Sequence, residues 1–98
     1  MVDQTYYRAE SFLNMILDMK PISDQGLQEA LHEYITLGEL EIAFEGAFLW
    51  YLEHEVEFSR SQRDEILKHG RALGIHEERS IDEEAWEKFQ SVFGEKTD

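Results

Sequence analysis

The chain has no cysteine and a single proline. Without cysteine, disulfides, thiolate metal sites and cysteine nucleophiles are all excluded. Runs of alternating apolar and polar residues, which a half-buried strand requires, are missing as well. No apolar stretch reaches membrane-spanning length, and the opening "MVDQTYYRAES" lacks both the basic start and the apolar run of a signal peptide, so a cytoplasmic protein is expected. Positive charge is scarce: 9 lysines and arginines stand against 22 aspartates and glutamates, a formal charge of −13. Such a surface repels phosphate backbones and anionic lipid, which disfavours direct binding to nucleic acid or membrane.

What is present is an oily, acidic chain. The 98 residues are 42 % hydrophobic and 12 % aromatic, a composition that builds a packed core rather than a disordered acidic tail. One domain spanning residues 1–98 is expected, too small for a substrate domain beside a cofactor domain. Helical spacing and punctuation then divide it. Phe12, Leu13, Ile16 and Leu17 predict a first helix over Gln4 to Asp18, stopped ahead of Pro21. Ser23 is read as the N-cap of a second helix over Asp24 to Leu37, closed by Gly38. A third is predicted over Glu39 to His54, and a fourth over Gln62 to Leu73, capped by Ser59 or Ser61 and ended by Gly74. The fifth runs from Asp82 to Phe93, with Ser80 and Glu83 at capping-box spacing. The expectation is an all-α bundle of four to five helices.

Sites for catalysis are hard to assemble from these residues. His32, His54, His69 and His76 fall on different predicted elements, and no two histidines have the i, i+4 spacing that places two ligands on one helical face. The "EHEVE" run around His54 reads as a solvated helix end before it reads as a divalent-cation site. The glycines are dispersed, so no phosphate-cradling loop is formed, and the serines lie mostly at predicted caps. Neither a cofactor nor a metal is expected, and the chain is read as a binding protein rather than an enzyme. Helix-turn-helix DNA binding is weakened by the net charge, although the fourth helix carries Arg60, Arg63, Lys68 and Arg71.

The third helix and its following loop raise a different question. From Leu37 to Phe58 there are six glutamates and no lysine or arginine. On a helical wheel Leu40, Ala43, Phe44, Ala47, Phe48, Trp50 and Tyr51 cover more than half the circumference, leaving Glu41, Glu45 and Glu53 on an open strip with Gly46 and Leu49. Glu41 and Glu45 repel each other at i, i+4 spacing, a cost of a few tenths of a kcal/mol. Glu39, Glu41, Glu45, Glu53, Glu55 and Glu57 are therefore read as one patch that steers and docks a basic partner, with Trp50 as its aromatic anchor. Reversing Glu41, Glu45 and Glu53 to lysine is expected to spare the fold, and Glu83, Glu84 and Glu87 of the fifth helix serve as a separate, charge-matched control. A nuclease is one such basic partner, because its own surface must attract phosphates; a small adaptor with another basic partner is the alternative.

The run "LGELEIAFEGAFLWYLEHEVEFSRSQRDEILKHGRALGI", Leu37 to Ile75, resembles bacterial toxin-immunity proteins of the MafI type. The similar features are Gly38 before Glu39, the "ELEIAFE" start of a helix, apolar pairs ending in Tyr51, Leu52 and Glu53, and a short loop into a serine-capped helix closing on "ALGI", Ala72 to Ile75. The region after His76 extends past the family's usual end. The resemblance implies a small cytoplasmic antidote that binds the effector domain of a secreted polymorphic toxin, commonly a nuclease, and neutralises it without chemistry. It carries no catalytic residues to transfer.

Overall fold

The computed structural model describes residues 4–75 and 84–94, and builds them into five α-helices with no strand among them. They are α1 (Gln4–Met19), α2 (Gln25–Thr36), α3 (Leu40–Glu53), α4 (Arg60–Ala72) and α5 (Ala85–Phe93). None of these helices is long and apolar enough to cross a membrane. Local chemistry sets most of the boundaries. Pro21 stops α1 at Met19, since the residue before a proline is pushed out of the helical region. The cap of α2 is Asp24, whose Oδ1 accepts the Leu27 amide at 3.1 Å, and not Ser23, which lies one residue too far back to reach the first turn. Ser59 rather than Ser61 caps α4. Its Oγ accepts the Gln62 amide at 3.1 Å while Gln62 Oε1 accepts the Ser59 amide at 2.8 Å, so that the helix opens two residues earlier than the sequence predicts. The expected pairing of Ser80 with Glu83 lies outside the described residues.

Three helices end in the same way. After α2, the Gly38 and Glu39 amides reach back to the carbonyls of Ile35 and Tyr34; after α4, those of Gly74 and Ile75 reach Arg71 and Gly70. After α3, the amides of Glu55 and Val56 reach Leu52 and Tyr51. Each is a Schellman closure, which places one residue in the left-handed region. Gly38 (φ 79°) and Gly74 (φ 82°) fill it without steric cost, but the third is Glu55, at φ 52°. Replacing this glutamate by glycine should raise stability by about 1 kcal/mol. A chemical-denaturation midpoint that fails to rise in Glu55→Gly would contradict that conformation.

The core forms around α3, which is apolar on nearly every side. Phe48 stands at its centre, with ring centroids of Phe44 at 4.6 Å, Tyr51 at 5.5 Å, Phe58 and Phe93 at 6.0 Å, Phe12 at 6.4 Å and Phe89 at 6.5 Å. Tyr51 is buried and its hydroxyl donates to the Lys20 carbonyl at 2.6 Å, tying α3 to the α1–α2 connection; burial pushes its phenol up to about 12. Gly46 lets Leu31 of α2 approach, and Gly70 lets the edge of Trp86 come so near that a Cβ there would lie 2.9 Å from its Cζ3. On α4 the inward set includes a histidine that its pattern did not single out. His69 is buried against Phe12, with centroids 4.9 Å apart, and its Nε2 lies 3.0 Å from Glu65 Oε2. Burial holds the imidazole below its usual range, against the opposing pull of Glu65.

Candidate functional site

The six glutamates of the acidic stretch do not form one patch. Glu45 is buried, with 2 % of its surface exposed, and so is not on an open strip. It lies at the middle of α3, where the residues on either side of it are mostly buried; Glu41, one turn earlier on the same face, is exposed because it sits at the helix end. The expectation that lysines at Glu41, Glu45 and Glu53 together would spare the fold fails at this residue. Glu39 and Glu41 lie at the N-terminal end of α3, and Glu53, Glu55 and Glu57 at and beyond its C-terminal end. A rise of 1.5 Å per residue separates Glu41 from Glu53 by roughly 18 Å.

Helix electrostatics distinguishes the two groups. At an N-terminus the backbone amides carry partial positive charge, so Glu39 and Glu41 are stabilised where they stand. Glu41 also acts on Tyr6 of α1: burial, then the charges of Glu10 and Glu41, raise the Tyr6 phenol above its usual range. At a C-terminus the free carbonyls oppose further negative charge. There Glu53 occupies the last turn, Glu55 the left-handed closing position, and Glu57 the extension beyond it, and all three are exposed. Among the described residues none of the three is joined to a lysine or arginine. Local structure accounts for the first pair of acids and is opposed to the second group.

The acids at the C-terminal end border an apolar groove. One cavity of about 420 Å³ is lined by Leu49, Leu52, Glu53, Glu84, Glu87, Lys88, Ser91 and Val92. A second, of about 480 Å³, shares Leu52 and Val92 with it and continues along Val56, Phe58, Glu55 and Glu57 to Arg63. Val92 is 51 % exposed. The groove floor is thus apolar, aliphatic in the first cavity and partly aromatic in the second, and its rim mainly glutamate, with Lys88 and Arg63 the basic members. Glu84, at the N-cap of α5, and Glu87 within it line the same cavity as Glu53, so those acids are part of this surface rather than a control remote from it; Glu83 lies outside the described residues.

Trp50 is half-buried and lines neither cavity. Its indole stacks on the imidazole of His54 with centroids 3.9 Å apart and planes 18° from parallel, and His54 Nδ1 donates to the Trp50 carbonyl at 2.9 Å. One face of the expected anchor is therefore covered by its own helix. Exposed Val92, beside half-buried Leu52, provides the apolar surface of the groove instead. Val92 stands apart from the inward row of Trp86, Phe89 and Phe93 in the sequence, an apolar residue on the polar side of α5, and that was the available signal. Among the described residues no group of three or more histidine or carboxylate side chains is placed to hold a metal. No family model matches the chain, and neither the curated proteins nor the solved structures include one similar to it.

Proposed function

We propose that this chain is an immunity protein that binds a basic toxin effector domain, such as a nuclease, in the cytoplasm and neutralises it by occlusion, with no bond made or broken by the chain itself. The observation that carries the reading is the placement of Glu53, Glu55 and Glu57. Glu53 and Glu55 stand at the end of α3 where the helix dipole opposes them, Glu57 extends the same negative charge just beyond it, and Glu55 adds the backbone strain that glycine avoids after α2 and α4. Stability alone favours other residues there. A basic partner makes the same charges favourable, because unlike surfaces steer encounter and complementary charges select the partner. The resemblance of Leu37 to Ile75 to MafI-type immunity proteins supports a toxin as that partner.

Co-expression with any basic toxin domain encoded beside the gene tests this in cells. Wild-type protein should restore growth, and a variant with Glu53, Glu55 and Glu57 all changed to lysine should fail to do so while keeping its helical circular dichroism. Lysines at Glu39 and Glu41 should leave protection in place. Growth arrest despite well-folded wild-type protein would rule out the immunity role.

A further inference from the structure

We propose that the groove between the C-terminal half of α3, the residues 54–59 that follow it, and α5 receives an aliphatic or aromatic anchor from a basic partner segment, with lysine or arginine on either side of that anchor. The inference rests on the reading of the partner as basic, and adds where and how it docks. Leu49, Leu52, Val56, Phe58 and Val92 form a continuous apolar floor through the two cavities that share Leu52 and Val92. Glu53, Glu84 and Glu87 against Lys88 rim one part, and Glu55 and Glu57 against Arg63 the other, so carboxylates outnumber cations along both and a cation beside the anchor meets them whichever way along the groove it extends. An apolar centre enclosed by a charged rim is the arrangement in which desolvation makes one anchor count most. Of the other exposed large apolar side chains, Tyr7, Met15 and Met19 lie on α1, which carries Arg8 beside Glu10 and Asp18, and Leu37 is the lone C-cap residue of α2 and lines neither cavity. Charge complementarity therefore assigns the basic segment to the α3–α5 groove and not to α1.

Three synthetic helical peptides test the pattern. The first places leucines at i, i+3, i+4 and i+7 with lysines elsewhere; the second has the same composition with the leucines dispersed around the helix; the third replaces the lysines of the first by glutamate. Binding to the full-length protein is measured by titration, with the methyl resonances of Leu49, Leu52 and Val92 locating the contact. The patterned cationic peptide should bind and shift these methyls, the dispersed one should bind at least about tenfold more weakly, and the glutamate peptide should not bind. Val92→Ser should weaken the patterned peptide about fivefold, as expected for an aliphatic side chain already half out of water. Met15→Ser, at a similarly exposed apolar position on α1, should leave it unchanged. Thermal midpoints of both variants check that the fold is retained. Equal binding of the two cationic peptides, with no Val92 effect, would overturn the anchor while sparing the reading of a basic partner. Equal binding of the lysine and glutamate peptides would overturn both.

Discussion

Phe48→Ala is expected to remove about 3–5 kcal/mol of stability, the range for truncating a fully buried phenylalanine. A domain of this size has a total of about 5–15 kcal/mol to lose. The thermal midpoint should fall by roughly 12 °C or more, since each kcal/mol shifts it by about 4–8 °C in a domain of 60–100 residues. The reason is position as much as size. The Phe48 ring meets aromatic neighbours from α1, from its own helix, from Phe58 ahead of α4 and from α5, so its loss opens a void that no single helix can close by shifting. Phe48→Leu, which keeps much of the volume, should cost far less. A Phe48→Ala protein that unfolds at the wild-type urea concentration would place the core elsewhere.

Glu45→Lys should be comparably damaging, whereas Glu41→Lys, one turn away on the same helical face, should be nearly neutral. Glu45 is buried near the middle of α3, with 2 % of its surface exposed, and a lysine there must either bring an ammonium into that interior or displace its neighbours. Taking a charge of the wrong sign out of water costs several kcal/mol, so a loss of about 3 kcal/mol or more is expected. At Glu41 the same change is solvated and forfeits only a favourable interaction with the helix N-terminus, about 0.3–1 kcal/mol. Paired urea titrations of the two variants measure the difference. Similar stabilities for both would mean that the middle of α3 is open to water.

These two glutamates show what the sequence could and could not reveal. Pro21, Gly38 and Gly74 act through their own backbone geometry, so the breaks they impose are legible from residue type. The inward residues of α1 are legible because a single apolar stripe faces a single core. On α3 a wheel fails. With apolar residues on nearly every side, the angle of Glu45 differs little from that of Glu41, and what separates them is distance along the axis from the crowded middle of the bundle. Asp24 followed Ser23 as an equally good capping type, and only the reach to the Leu27 amide decided between them. The left-handed Glu55 had no signature, being a residue type that rarely adopts that conformation. The groove needed tertiary structure altogether, because it joins Leu52 and Val92 from opposite ends of the folded chain's C-terminal half.

The acidic end of α3 as a docking surface is tested most directly by the association rate of the purified protein with a basic toxin domain, measured over a range of salt concentrations. Charge steering acts over the screening length, about 8 Å at physiological ionic strength, so the wild-type rate should fall steeply as salt rises. Changing Glu53, Glu55 and Glu57 to glutamine should slow association by about tenfold at low salt and flatten its salt dependence, while the same change at Glu39 and Glu41 should alter neither by more than about twofold. A Glu39/Glu41 variant that slows association while the Glu53/Glu55/Glu57 variant matches wild type would place the docking surface at the opposite end of the helix.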